Sequence, residues 1–276
     1  LNLYLHVTGR RADGYHLLDS LVVFTGLGDT VTAAAANALS LVVEGPFASA
    51  LAGAGDNLMV RAAHALAPGR GVALTLVKNL PVAAGIGGGS ADAAATLLAL
   101  RELWGLGIDD AGLAARAILL GADVPACLGS RPLWLGGVGE QLQPGPALPP
   151  THVVLVNPGV PLATPEVFRG FAAAGTAFST PGRDTGAAFA SPFMLAAFLK
   201  ARRNDLESVA RFVCPPVDET LRALASQPAC LLARMSGSGA TCFGLFASPL
   251  AAERAVAQIR LAEPAWWVVA TTLLLP

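Results

Sequence analysis

The sequence predicts an α+β protein of two domains, and three observations carry that prediction. Stretches with the alternation of strands and stretches with the spacing of helices occur in both halves, without the regular strand–helix alternation of a doubly wound sheet. The 276 residues exceed one domain of ordinary size. A Pro-rich segment, "PGPALPP" at 144–150, is the most linker-like part of the chain and places the boundary near residue 149, dividing domains 1–148 and 149–276.

Taken in order, residues 1–46 read as strands: "LNLYLHV", "YHLLDSLVVF", "DTVTAAA" and "LSLVVEG", separated by Gly- and Asp-bearing turns. A helix is expected over 57–67, ended by Pro68 and Gly69, and "VALTLVKNL" reads as a strand. Four glycines crowd residues 85–89, and a helix then runs from Ser90 to Trp104 with Gly105 closing it. Another spans 110–120 and stops at Gly121, and "PLWLGGVGEQLQP" resembles a hairpin. Past the linker come a strand, "HVVLVNP", and a helix at "TPEVFRGF" with Thr164 as N-cap and Pro165 at the first helical position. Residues 171–191 read as a mobile loop, and helices occupy much of 192–227. "ACLLARM" and "TCFGLFA" read as strands, "PLAAERAVAQIRL" as a helix after Ser248, and "WWVVATTLL" as a last strand.

Composition excludes several classes. The apolar share is 54%, so a sizeable core is expected, while 13% charged residues and a net charge of −1 leave no footprint for nucleic acid or an anionic membrane. The longest uncharged stretches are broken by Pro, Gly and Ser, which argues against a membrane span, and no signal-peptide pattern is visible. Cys127, Cys214, Cys230 and Cys242 are scattered without metal-ligand spacing, as expected of reduced thiols in a cytoplasmic protein.

A strand, a glycine-rich turn and a helix start make an anion site. The first helical amides lack internal partners, the dipole is positive there, and glycine lets phosphate approach the backbone. A Walker A loop is excluded because no Gly-Lys pair exists in the chain. A dinucleotide fingerprint is excluded because position 90 is Ser and the acidic Asp109 follows a helix instead of a strand. Gly85, Gly87, Gly88, Gly89 and Ser90 read as a phosphate cradle of another kind; the alternative is a glycine-rich turn with a purely structural job. Asp123, in "GADVP", lies past a helix end in apolar surroundings, where a carboxylate needs a partner or a purpose; the alternative is a turn-forming Asp.

"LPVAAGIGGGSADAA" resembles the phosphate-binding motif of the GHMP small-molecule kinases, and "MSGSGATCF" at 235–243 their C-terminal glycine motif. The triple glycine before the serine points to one branch. "RADGYHLL", "LGADVP" at 120–125 and "NPGVPLATPEVF" at 157–168 agree with it in order across nearly the whole chain, which thereby resembles the 4-diphosphocytidyl-2-C-methyl-D-erythritol kinases. The resemblance implies a ribosomal-S5-domain-2-like N-terminal half, a ferredoxin-like C-terminal half, an active site between them, ATP and Mg²⁺ as cofactors, and phosphorylation of a small cytidine diphosphate alcohol. It implies no nucleic-acid or membrane partner, and a monomer or homodimer.

It also distributes roles. Asp123 would be the catalytic base. Gly85, Ile86, Gly87, Gly88, Gly89 and Ser90, with Pro81 and Ala83 ahead of them, would wrap the ATP phosphates, Ser90 lying near Mg²⁺. Asn57 and Lys78 would flank the nucleoside, each open to the alternative of a solvated loop residue. Tyr15 and Phe168 would stack on cytosine, with His16 bonding its edge, and Thr164 and Pro165 in the pocket wall. Asn2 would contact substrate, and Gly237 and Ser238 would close the site. Asp92, two residues into the helix where the dipole favours a carboxylate, reads as structural or as a support just behind the site, and Glu140 fits the pattern without a role. The family's lysine in its "A-K-x-N-L-x-L" stretch would fall one residue before Leu1, so residues are expected to precede Leu1, or else this is a variant lacking that lysine. The rivals are a GHMP kinase acting on homoserine or mevalonate, and a nucleotide-binding protein without turnover.

Overall fold

A computed structural model describes residues 1–52 and 57–275 of the chain. In chain order, the first strands are β1 (Asn2–Arg10), β2 (His16–Val22), β3 (Thr30–Ala35) and β4 (Leu39–Glu44). Helix α1 (Leu58–Leu66), β5 (Val72–Val77), α2 (Gly88–Leu103), α3 (Asp110–Leu120), α4 (Val124–Cys127), β6 (Leu133–Gly137) and β7 (Gln141–Pro144) follow. Then come β8 (His152–Asn157), α5 (Thr164–Ala173), α6 (Pro192–Lys200), α7 (Glu207–Val213), α8 (Pro216–Ala225), β9 (Leu232–Met235), β10 (Cys242–Phe246), α9 (Pro249–Ala262) and β11 (Trp267–Thr272).

The chain forms two compact units. One comprises residues 1–27, 83–86 and 131–276; the other comprises 28–82 and 87–130. This division does not follow the boundary near residue 149. The strands before residue 27 pair with the β6–β7 hairpin in a sheet of order β1-β2-β6-β7, so the chain leaves that unit at residue 28 and returns to stay at 131. Pairing across that sheet is antiparallel throughout, with Tyr4 opposite Leu21 and Leu21 opposite Trp134.

The first unit also holds a second antiparallel sheet, of order β11-β8-β10-β9. Its central strands, "HVVLVN" and "CFGLF", read as unbroken apolar runs because both faces are covered. Val154, Val156, Cys242 and Phe246 face a core completed by Phe171, Leu224 and Ile259 from α5, α8 and α9. Val153, Leu155, Phe243 and Leu245 face another core with Tyr4, Trp134, Leu195 and Leu199. Each fully buried side chain of this kind contributes about 1.5–3 kcal/mol.

The second unit is a three-stranded sheet, β3-β5-β4, antiparallel on one side of β5 and parallel on the other. Alternation is clean in β5, whose Val72, Leu74 and Leu76 are buried against Leu97, Leu100 and Leu113 from the helices. Asn57 begins α1 as its N-cap, its side chain accepting the Met59 amide at 2.9 Å.

Several expectations need correction. Helix α2 begins at Gly88, two residues before Ser90, so two of the glycines sit in its first turn and Gly87 is the N-cap. Thr164 is not a cap; Ala163 holds that position, and Thr164 is already helical. The region 171–191 opens with the end of α5, and its middle is tied down. Ser179 donates its amide to Val7 (2.9 Å), Gly182 donates to Asp19 (2.6 Å), and Thr180 bonds the His6 ring. The four cysteines are unpaired; Cys214 and Cys242 are buried, Cys127 and Cys230 half-buried. No helix among the described residues is long and apolar enough to cross a membrane.

Candidate active site

In the second unit, β5 leads through the glycine turn to α2, and the amides of Gly88, Gly89 and Ser90 have no partner inside the helix. Gly87 adopts φ +71°, which directs the chain into the helix and leaves its own surroundings open. Ser90 is half-buried beside these amides. Pro81 is half-buried at the start of the turn. Beneath the first turn lies Lys78, which is buried and not solvated: its ammonium donates to Asp29 and, at 3.0 Å, to Asp92. Loss of water around the Asp92 carboxyl lifts its pKa to about 6, with the Asp29 charge adding to the rise and the Lys78 ammonium opposing it. Asp92 is thus engaged by Lys78 within the protein. Asn57 is accounted for locally by its cap.

Asp123 stands at the N-terminus of α4, a short turn started by Val124 and Pro125 that the sequence reading missed for want of length. Its side chain makes no capping bond, so both oxygens stay available. Asp123 is exposed, yet the surrounding protein withholds enough water to lift its carboxyl above the usual range. Helix α4 packs on α2. Burial, with the nearby charges of Asp123 and Asp92 adding to it, pushes the Cys127 thiol up to about 12, so the thiol stays protonated and inert.

The first unit holds the remaining candidates. Residues 83–86 lie against the loop between β9 and β10: Thr241 donates its amide to Ala84 O (3.1 Å) and Ser236 Oγ to Gly85 O (3.2 Å). Ala83 and Gly85 both take left-handed backbone there, and Ile86 is half-buried. Gly237 shares this loop; a methyl on it would come within 3.0 Å of Gly85 O and 3.3 Å of Asn2 Oδ1. Asn2 donates Nδ2 to Ser20 Oγ (2.9 Å) and its amide to Ser236 Oγ (3.1 Å). Ser238 and Thr164 join hydroxyl to hydroxyl at 2.7 Å, which ties the loop to the first turn of α5, where Pro165 follows.

The ring of His16 stacks on Phe168, centroids 5.2 Å apart at 24°, and meets Phe171 edge-on. Phe168 thus serves the core and a ring stack at once. Burial, and behind it the Arg10 charge, hold the His16 imidazole below its usual pKa. Tyr15 is 66% exposed. Glu140 has a local explanation: its carboxylate accepts the Val138 amide at 2.6 Å and closes the β6–β7 turn.

Asp29 escaped the sequence reading altogether. The signal available was an acidic residue directly before a strand, which by itself is unremarkable. Among the described residues no cluster of three His, Cys, Asp or Glu side chains could hold a metal ion.

A glycine-bearing helix start is the kind of place where anions bind, and the family comparisons state the class. The model described as "GHMP kinases N terminal domain" matches residues 57–131, and "GHMP kinases C terminal" matches 190–264. The chain is a two-domain α+β GHMP kinase. It is 54% identical to the 4-diphosphocytidyl-2-C-methyl-D-erythritol kinase of Cereibacter sphaeroides, over 97% of this chain and 94% of that one. It is 51% identical to the kinase of the same name from Paramagnetospirillum magneticum, over 99% and 96%. A crystal structure of 4-(cytidine 5'-diphospho)-2C-methyl-D-erythritol kinase superposes with a TM-score of 0.76 at 36% identity, covering 99% of this chain and 96% of that one. The mevalonate kinase of L. major, at 15% identity and a TM-score of 0.68, shares the fold. The chain belongs to the 4-diphosphocytidyl-2-C-methyl-D-erythritol kinase family.

Proposed function

We propose that the chain transfers the γ-phosphoryl group of Mg·ATP to the 2-hydroxyl of 4-diphosphocytidyl-2-C-methyl-D-erythritol, a step in making isoprenoid precursors by the non-mevalonate route. The observation that carries this reading is 54% identity across 97% of the chain with an enzyme of that name. As a GHMP kinase the chain uses ATP.

Asp123 accepts the proton of the 2-hydroxyl as that oxygen attacks the γ-phosphorus, and the β–γ bridging oxygen leaves with ADP. One base suffices because phosphoryl transfer is mainly positioning and charge neutralisation. Its uncapped carboxylate supports the assignment. The amides of Gly88, Gly89 and Ser90 steady charge on the phosphates, with Pro81, Ala83, Gly85, Ile86 and Gly87 shaping the turn and Asn57 flanking the nucleoside; Lys78, expected beside it, is instead buried with its ammonium on Asp29 and Asp92 and supports the turn from beneath. Ser90 would hold Mg²⁺ along with phosphate oxygens, and the ion supplies charge neutralisation when bound. Tyr15 and Phe168 take the faces of the cytosine and His16 its edge, which requires His16 to turn off Phe168. A neutral imidazole, favoured by its lowered pKa, can both donate and accept there. Asn2, Thr164, Pro165, Gly237 and Ser238 form the rest of the acceptor side.

Residues 1–148 and 149–276 are read as the family's two halves, one ribosomal-S5-like and the other ferredoxin-like. The family matches fall on either side of that boundary, and the order β11-β8-β10-β9 supports the second assignment. The chain is read as a cytoplasmic monomer or homodimer without nucleic-acid or membrane partners. The test is ADP release from Mg·ATP with the cytidylyl substrate, followed by ³¹P spectroscopy of the product. A new phosphomonoester and silence with homoserine and mevalonate are expected. Turnover of either of those alcohols, or none with the cytidylyl substrate, would overturn the reading.

A further inference from the structure

Asp29 lies outside the motifs that carry the family resemblance and outside the stretch matched by the N-terminal family model, which begins at residue 57. Its side chain is 1% exposed and collects three donors. One oxygen accepts the amides of Asn79 (2.6 Å) and Leu80 (2.9 Å), at the head of the glycine turn. The other accepts the Lys78 ammonium, which also reaches Asp92 in the second turn of α2. The first residue of α2 rests on this pair: a methyl on Gly88 would come within 3.2 Å of Lys78 Nζ and 3.5 Å of Asp29 Oδ2. The two ends of the turn, residues 78–80 and residues 88–92, are thus fastened to one carboxylate, directly or through one ammonium.

We propose that Asp29 is a positioning residue for phosphoryl transfer. It holds the Asn79 and Leu80 amides with one oxygen and Lys78 with the other, and so sets the start of α2 at the height and direction at which its free amides meet the nucleotide phosphates. This rests on the kinase reading given above. The chemistry demands a carboxylate, because all three partners are donors and only a carboxylate offers acceptors on both sides. Asparagine has nearly the same shape but one acceptor oxygen. Either way round, its NH₂ must face the ammonium or the two backbone amides, donor against donor. Neither arrangement leaves the turn where it was, and misplacement by about 1 Å is enough to cost roughly 100-fold in rate.

The test compares Asp29→Asn, Asp29→Glu and the parent chain, well below their melting temperatures, by two readouts: Kd for Mg·ADP by calorimetry, and kcat with KM for ATP and for the cytidylyl substrate. In Asp29→Asn, Mg·ADP binding and kcat/KM for ATP should each fall roughly 10–100-fold, with KM for the cytidylyl substrate unchanged. Asp29→Glu, with both acceptors kept, should recover part of the loss. A merely structural role would lower the melting temperature and leave Kd and the kinetic constants of the folded protein alone, and that result overturns the proposal. So does failure of both variants to fold, since Asp29 would then serve stability only. If the parent chain lacks kinase activity yet binds Mg·ADP, the functional reading fails by itself, and the ADP affinities of the variants still decide the role of Asp29.

Discussion

Substituting alanine for Gly85 should destabilise the protein by about 2–5 kcal/mol, and the structure separates that into two parts. Gly85 sits at φ +71°, left-handed backbone where a residue with a Cβ costs about 1–2 kcal/mol. The added carbon would also lie 2.3 Å from the carbonyl oxygen of Gly239 and 2.8 Å from its carbonyl carbon and nitrogen. Those atoms are backbone, in a loop bonded to residues 84 and 85, so relief requires the loop itself to move; overpacking of this kind costs about 1–3 kcal/mol. Gly87 provides the control, since it has the same φ of +71° and nothing within 4 Å of the position a Cβ would take. Gly87→Ala should therefore lose only the conformational part, about 1–2 kcal/mol. Urea unfolding of both variants beside the parent chain measures the difference, expected at about 1–3 kcal/mol. If Gly85→Ala proves no less stable than Gly87→Ala, the close approach of residues 85 and 239 is not the constraint argued here.

Asp123→Asn should lower kcat by roughly 10²–10⁴-fold and leave unfolding free energy within about 0.5 kcal/mol, since the exposed side chain caps nothing. The base works deprotonated and desolvation raises its pKa, so the acid limb of the pH–rate profile should lie above the ordinary aspartate range; a limb at or below that range would count against the assignment. The Asp92 carboxyl is lifted from 3.8 to about 6, so the folded state binds its proton more tightly than the unfolded chain does. The stability it contributes is full below about pH 4 and is lost as pH rises through about 6. The stability of the parent chain minus that of Asp92→Asn should decline over that window, and a flat difference would refute the account. Asn57→Ala should cost about 0.5–2 kcal/mol through the lost cap, whereas Asn57→Ser should restore stability. A raised KM for ATP that persists in the serine variant would then report the nucleotide contact separately from the cap.

Local elements were legible where a local cause exists. Asn57 ahead of an apolar run gives α1 its cap, the alternation of "VALTLV" gives β5 its buried face, and the Ala/Leu run after the glycines gives α2. The glycine turn and Asp123 were singled out by chemistry that acts over a few residues. Thr164 shows where such reasoning fails. It has the composition of an N-cap, but its hydroxyl is taken by Ser238, 74 residues away, while Ala163 holds the cap position. Glu140, which had no role in the sequence reading, closes its own hairpin turn through its carboxylate.

The sequence by itself determined most of the elements, their order, and the presence of a glycine turn ahead of a helix, because propensity, capping and periodicity act between residues a few positions apart. It also carried the family, through short motifs in order across nearly the whole chain. Tertiary structure alone decided the partners. Lys78 could have been a solvated loop lysine; it is buried because Asp29, 49 positions earlier, and Asp92 converge on it. The β1–β2 pair could have belonged with β3–β5, but it pairs with β6 instead, and so the compact units ignore the linker. Periodicity states which face of an element is buried and not what buries it, since burial lowers the free energy of any complementary surface, and only the path of the whole chain selects which one arrives.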